Sequence, residues 1–92
     1  MASQYRNQTF INHIVKRIEE IRLEKGIVQE DIVERTGFTQ KQVWLMLTGK
    51  NNFAISHLEA IASALEVHPK ELLDFNFEIP KHPPLRKDRR AK

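Results

Sequence analysis

Hydrophobic residues recur at intervals of three and four along most of the chain, which is the spacing of one face of an α-helix. The longest such run begins at Phe10, passes Ile21 and ends at Gly26, with charged residues between the apolar ones. It predicts an amphipathic helix of about sixteen residues. Thr9 stands before this run and is the candidate N-terminal cap.

Residues 29–50 predict a helix, a tight turn and a second helix. The first of these helices, residues 29–36, is followed by Gly37, a residue that readily ends a helix. The second begins after Thr39, whose spacing from Gln42 is that of a capping box, and ends at another glycine. Two short helices joined in this way form either a DNA-binding helix-turn-helix or an ordinary helical hairpin. This stretch alone leaves both interpretations open.

Two further helices are predicted downstream. Ser56 and Glu59 have the spacing of a second capping box, which opens a helix that ends at Leu65. Pro69 suits the first turn of a short fifth helix that ends at Asp74. The pattern therefore predicts an all-α fold of five helices.

The C-terminal part of the chain changes character. Phe75, Phe77 and Ile79 alternate with polar residues, which is the periodicity of a strand. This segment either folds back on the helical core or pairs with its copy in a symmetric dimer. Residues 81–92 are proline-rich and then basic, a composition that predicts disorder. The expected plan is a flexible N-terminus over 1–8, a helical domain over 9–74, an extended segment over 75–80 and a basic tail over 81–92.

Composition restricts the class of protein. A chain of 92 residues is expected to form one domain, and the lack of cysteine excludes disulfides and thiolate metal sites. We expect a cytoplasmic location because the sequence has neither a signal peptide nor an apolar run long enough to span a membrane. It contains no Gly-rich phosphate loop or nucleophile motif, so we expect neither an enzyme nor a cofactor. The histidines lack metal-ligand spacing and predict no metal site: His13, His57, His68 and His82.

The net charge of +3 belongs to the tail. Residues 81–92 carry a net charge of +5, and residues 1–80 carry nine basic and eleven acidic groups. The helical part is therefore slightly acidic, and it binds nucleic acid only if its few cations share one face.

Several elements in the right order resemble the Cro/repressor-type helix-turn-helix family, also called XRE-like. These elements are residues 23–32, the turn at 37–40, residues 48–50 and residues 58–67. The resemblance covers about residues 14–73. It implies a compact, five-helix, lambda-repressor-like domain in which helices two and three form the helix-turn-helix. It also implies binding to double-stranded operator DNA, usually as a homodimer.

The sequence departs from this family pattern at three positions. Val28 stands where the family usually has a polar cap, so a weaker helix start is expected. Val33 replaces a frequent Ala, and Leu47 replaces a frequent Glu that pairs with the Arg aligned with Arg22. Arg22 is therefore expected to pair with Glu19 or another acid, or to approach a phosphate.

The family resemblance and the docking geometry of such a unit select the residues expected to contact DNA. The candidate base contacts are Thr39, Gln40, Lys41 and Leu45. Gln side chains pair with adenine, Lys donates to guanine acceptors, and an apolar side chain contacts the thymine methyl group. The candidate phosphate contacts are Gln29, Lys50, Asn51, Asn52 and Ser56. Further candidates in the tail are Arg86, Lys87, Arg89 and Arg90.

The third helix has more apolar surface than its two expected core residues, Val43 and Met46, require. Trp44 packs either on the first or second helix or on a partner protein. Two functions are therefore weighed. The first is a sequence-specific regulator, most simply a dimeric repressor or controller that binds a palindromic operator. The second is an antitoxin or other interaction module, whose candidate partner surface is Trp44, Leu47, Phe75, Phe77 and Ile79.

Overall fold

The computed structural model describes residues 5–86, which form four α-helices and a short 3₁₀ helix with no strand among them. The elements are α1 (Gln8–Lys25), α2 (Gln29–Thr36), α3 (Gln40–Leu47), α4 (Ile55–Ala64) and the 3₁₀ helix (Pro69–Leu73). The all-α prediction is confirmed. None of the helices in these residues is long and apolar enough to cross a membrane.

The predicted fifth α-helix was wrong, because Pro69–Leu73 forms a 3₁₀ helix. The N–H of Glu71 donates to the carbonyl of His68 at 2.9 Å, which is a bond across three residues. The His68 side chain accepts from the N–H of Lys70 at 3.1 Å and caps the turn. A segment of five residues that opens with proline is too short to build the four-residue bonds of an α-helix.

Two of the predicted helix starts were also wrong. Asn7, rather than Thr9, caps α1, since its side-chain oxygen accepts from the N–H of Phe10 at 2.9 Å. Ser56 lies inside the first turn of α4, which starts after Ala54 without a side-chain cap. Phe53 and Leu58 occupy the two positions of a hydrophobic staple around Ala54, and both pack on the core, so apolar contacts set this register.

The start of α2 lacks a side-chain cap at Val28, as predicted. The carboxylate of Asp31 instead accepts from the N–H of Val28 at 3.0 Å, which supplies half of a capping box. Arg22 pairs with Glu19 at 2.8 Å, one of the alternatives expected for it. Its Nε–H is buried without an acceptor among residues 5–86, which fits the presence of Leu47 in place of the usual Glu.

All four α-helices and the 3₁₀ helix contribute to one core. Its fully buried large side chains are Ile18, Ile32, Val43, Met46, Ile61, Leu65 and Leu72. Val43 and Met46 face this core as predicted. Arg17 ties the 3₁₀ helix to α1, because its Nε–H donates to the carbonyl of Glu71 at 2.8 Å and its Nη2 lies 3.2 Å from the Glu71 carboxylate.

The segment after the 3₁₀ helix folds back on α1 in this chain. The ring of Phe75 stacks on His13 with centroids 4.9 Å apart, and Phe77 meets Phe10 edge-on at the same separation. Ile79 is 80% exposed and does not join them. The alternating pattern forms no strand within residues 5–86 because no second strand pairs with it.

Candidate nucleic-acid interface

The turn between α2 and α3 is held by local hydrogen bonds that fix the angle between the two helices. The hydroxyl of Thr36 donates to the carbonyl of Ile32 at 2.7 Å and accepts from the N–H of Phe38 at 3.1 Å. Gly37, at a φ of 80°, ends α2, and its N–H donates to the carbonyl of Val33. α2 and α3 also pack against each other through the core, which holds the two helices together beyond the turn.

The first turn of α3 presents two polar side chains to solvent. Thr39 accepts from the N–H of Gln42 at 3.1 Å, and the Gln42 side chain accepts from the N–H of Thr39 at 3.0 Å, which confirms the predicted capping box. The Thr39 hydroxyl is therefore engaged within the box. Gln40 and Lys41 are exposed directly beside it, on a helix start with a fixed direction.

The start of α2 lies beside the start of α3. The Gln29 side-chain amide donates to the backbone carbonyl of Gln40 at 3.4 Å, a long hydrogen bond. The contact falls on the backbone of Gln40 and not on its side chain. Gln29 and Gln40 are nevertheless brought together at one end of the helix-turn-helix unit.

The loop after α3 is anchored to the helix end. The N–H groups of Lys50 and Gly49 donate to the carbonyls of Leu45 and Met46, at 2.9 and 3.3 Å, which is a Schellman ending. The N–H of Asn51 also donates to the Leu45 carbonyl, at 3.3 Å. The side chains of Lys50, Asn51 and Asn52 therefore start from a loop whose backbone is held against α3.

Sequence reasoning missed Arg6 in this region. Its Nη2 donates to the carbonyl of Gly49 at 3.0 Å, and the Gln8 side chain donates to the same oxygen at 2.9 Å. Asn52 donates to the carbonyl of Tyr5 at 3.2 Å from the other side of this junction. These contacts place a cation next to Lys50, although Arg6 precedes the apolar pattern of α1. Asn7, three residues before Phe10, was the available signal that α1 begins early.

The apolar pair on α3 is divided between core and surface. Leu47 is half-buried and packs on the core. Trp44 is 45% exposed, and the ammonium of Lys50 lies 5.9 Å from the centroid of its ring. Trp44 was expected to pack on the first or second helix or on a partner, and it is not among the side chains packed on the core. Leu45, a candidate base contact, is half-buried.

A family model for the Cro/C1-type helix-turn-helix DNA-binding domain matches residues 17–78, about two-thirds of the chain. The chain belongs to this family. An uncharacterized HTH-type transcriptional regulator from Sinorhizobium fredii is 35% identical over 60 residues, which span 65% of this chain and 78% of the relative. The chain is therefore a DNA-binding transcriptional regulator, as the resemblance implied.

Solved structures agree with this Cro/C1-type assignment. The restriction-modification controller protein C.AhdI from Aeromonas hydrophila superposes with a TM-score of 0.62 at 27% identity, covering 67% of this chain and 94% of the controller. A hypothetical transcription factor from Neisseria, NHTF, superposes with a TM-score of 0.65 at 23% identity, covering 79% and 85% of the two chains. The second likeness supports the fold alone.

The charge around the Cro/C1-type helix-turn-helix differs from that of the rest of the helical body. No acidic residue occurs between Glu34 and Glu59, a stretch that includes all of α3 and the loop after it. Among residues 5–86, neither Lys41 nor Lys50 lies within 4.0 Å of a carboxylate. An otherwise slightly acidic body therefore has one acid-free stretch of chain, whose two lysines form no ion pair within the described residues.

Two further candidate DNA contacts, Ser56 and Arg86, are not linked to this stretch by hydrogen bonds within the described residues. No hydrogen bond within residues 5–86 joins Ser56 or Arg86 to α3 or to the loop that follows it. Both are exposed. The other tail candidates, Lys87, Arg89 and Arg90, lie outside the described residues.

Proposed function

We propose that the protein is a dimeric repressor or controller that binds a palindromic operator through α3. The observation that supports this most directly is the first turn of α3. Gln40 and Lys41 are exposed beside its capping box, in a first turn that has no acidic residue. Since the recognition helix of such units contacts bases with its N-terminal residues, we expect these two side chains to enter the major groove.

Each proposed base contact has a defined chemistry. Gln40 pairs with adenine through its amide, and Lys41 donates to guanine acceptors or to a phosphate. Leu45 contacts a thymine methyl group with the part of its side chain that is exposed. Thr39 is a weaker candidate because the capping box uses its hydroxyl.

Phosphate contacts surround this helix in the proposal. Phosphates carry no sequence information, so these residues set the register of the protein on the duplex. The residues are Gln29, Lys50, Asn51, Asn52 and Ser56, to which the structure adds Arg6 as a candidate. The tail, with Arg86, Lys87, Arg89 and Arg90, adds further cations that strengthen binding by releasing counterions.

The small number of cations favours a dimer. One copy offers Arg6, Lys41 and Lys50 on its DNA-facing surface, and each phosphate neutralised by a cation releases roughly one counterion. Two copies related by a two-fold axis double that contribution and read a palindrome. The relative C.AhdI is a controller protein, which supports the same class of function for this chain. A cytoplasmic, non-enzymatic regulator is the form that we propose.

The proposed function is tested by selecting bound sequences from a random duplex pool and measuring affinities for the enriched motif by fluorescence anisotropy. A palindromic motif is expected. Gln40→Ala is expected to cost about 1–3 kcal/mol and to relax specificity at one base pair. Lys41→Ala is expected to weaken binding and, if it contacts phosphate, to reduce the salt slope by about one. Lys70→Ala, on the 3₁₀ helix, is the control. Unchanged affinity in both α3 variants would show that α3 does not read the operator.

A second candidate function is an antitoxin or other protein-interaction module. Leu47 and Phe75 of its candidate surface pack on the core, but Trp44, Phe77 and Ile79 remain exposed by 45%, 38% and 80%. Co-purification of the full chain with a second small protein, lost in Ile79→Asp, would favour this function. If no sequence is enriched from the random duplex pool, the protein-interaction function is also favoured.

A further inference from the structure

Trp44 is the feature of α3 that the proposed contacts do not explain. It is the only tryptophan of the chain and is 45% exposed. Its neighbour Leu47, one turn further along, is packed on the core. Exposure of a large aromatic side chain on a helix that is otherwise placed to meet DNA requires a reason.

Helical geometry puts Trp44 on the outward side of α3. Residues three or four apart lie along one side of a helix, so Lys41, Trp44 and Thr48 form a single line. Val43 and Met46, which are 0% and 1% exposed, face the core. The Thr48 hydroxyl donates to the carbonyl of Trp44 at 2.7 Å, so this short side chain is turned toward the helix backbone. The indole is therefore the largest group on the line that starts at Lys41.

Cations stand on both sides of this indole. The ammonium of Lys50 lies 5.9 Å from its ring centroid, within the range of a cation–π contact. Lys41 is one turn away in the other direction. The sequence around them has no acidic residue from position 35 to position 58. An apolar ring between cations, in an acid-free stretch of chain, matches a ligand that alternates apolar and anionic groups.

We propose that Trp44 is a DNA contact of the recognition helix. Its indole packs against deoxyribose and thymine methyl groups on the wall of the major groove, and Lys50, held over the ring, binds the neighbouring phosphate. Both chemistries occur side by side along a DNA duplex, whereas a purely apolar protein partner leaves the two cations unused. This inference rests on the proposed function and adds a residue to its contact set.

Trp44 also provides the measurement, because its fluorescence is the only tryptophan signal of the chain. The full chain is titrated with a duplex that carries the selected motif and with a scrambled duplex of the same length. We expect saturation with the motif duplex to protect Trp44 from collisional quenching by acrylamide. Trp44→Ala is expected to weaken binding by about tenfold or more. The reason is that the substitution removes nearly half of a tryptophan's surface from the area that DNA buries in the wild type. The DNA affinity of Trp44→Phe should lie between those of Trp44→Ala and the wild type.

Leu23→Ala is the matched control, because Leu23 is 67% exposed on α1 and lies outside the helix-turn-helix unit. Its affinity should stay within about twofold of wild type. If Lys41→Ala weakens binding but Trp44→Ala does not, and DNA leaves acrylamide quenching unchanged, this inference is wrong while the proposed function stands. If the chain binds no duplex, both are wrong. Protection of Trp44 that depends on protein concentration and not on DNA would assign it to a contact between copies and overturn the inference.

Should Trp44→Ala fail to fold by circular dichroism, the quenching of the wild-type chain decides the question alone. Protection by the motif duplex supports the contact, and its absence at saturation excludes it.

Discussion

Gly49 joins the end of α3 to the loop that bears Lys50, and its replacement by alanine tests whether this junction matters for DNA binding. Its φ of +79° is a conformation that costs an L-residue about 1–2 kcal/mol. A Cβ at this position would lie 3.2 Å from the side-chain oxygen of Asn12, so a neighbour must also move. We expect Gly49→Ala to destabilise the chain by the conformational cost plus roughly 0.5–1 kcal/mol of crowding.

Gly26→Ala is a matched control for the crowding. Gly26 ends α1 at a φ of +70°, and nothing lies within 4 Å of the position that its Cβ would take. Only the conformational cost of about 1–2 kcal/mol is expected there. The two variants therefore separate a strained helix end from a crowded one, and urea unfolding monitored by circular dichroism gives both free energies.

The same pair of variants has different expected effects on DNA affinity. The carbonyl of Gly49 accepts from Arg6 at 3.0 Å and from Gln8 at 2.9 Å, so a shift of this backbone disturbs Arg6 and Lys50 together. Gly26 lies at the far end of α1 from these contacts. We expect Gly49→Ala to weaken binding to the selected duplex severalfold, while Gly26→Ala leaves it unchanged at a temperature where both are folded. Equal free energies of unfolding and equal affinities would refute this account of the junction.

Two further substitutions address stability. Glu66 has a φ of 60° at the end of α4, so Glu66→Gly should raise the free energy of unfolding by about 1 kcal/mol, measured as a higher urea midpoint. Glu66→Gln should change the free energy of unfolding little, since the exposed ion pair with Arg35 at 3.8 Å contributes little. A gain equal to that of Glu66→Gly would contradict the explanation from backbone conformation. Phe75→Ala should lower the thermal midpoint through a loss of about 2 kcal/mol, because its ring packs on α1. Ile79→Ala should stay within about 0.5 kcal/mol, and a larger loss would indicate that this exposed residue is covered by a second copy.

Local signals predicted the helix-turn-helix unit well. The extents of α2 and α3, the turn at Gly37 and the capping box of Thr39 with Gln42 follow from residues within four positions of one another. Local signals gave the wrong start for α4, because Ser56 and Glu59 also have the spacing of a capping box. The apolar pair Phe53 and Leu58 set a different register there, and its contribution depends on where the core lies.

Long-range contacts could not be predicted from the local pattern. Arg6 and Gly49 are 43 residues apart, and their hydrogen bond exists only because α1 begins beside the end of α3. The pattern also showed that α3 has more apolar surface than its core positions require. It did not decide whether Trp44 or Leu47 is the exposed residue. That choice depends on the packing of neighbouring helices around the core, which covers Leu47 and leaves Trp44 exposed.

The overall acidity of the helical body is compatible with DNA binding because its charges are segregated. Among residues 5–86, the four ion pairs join acidic groups to Arg17, Arg22 and Arg35, and none uses a residue of α3 or of the loop after it. These three arginines are thus paired with carboxylates, while Arg6, Lys41 and Lys50 have no carboxylate within 4.0 Å among the described residues. With so few free cations in each copy, electrostatic attraction alone gives weak binding. We therefore expect the affinity of the proposed dimer to come mainly from direct contacts of α3 with the groove and from a second copy on the same operator.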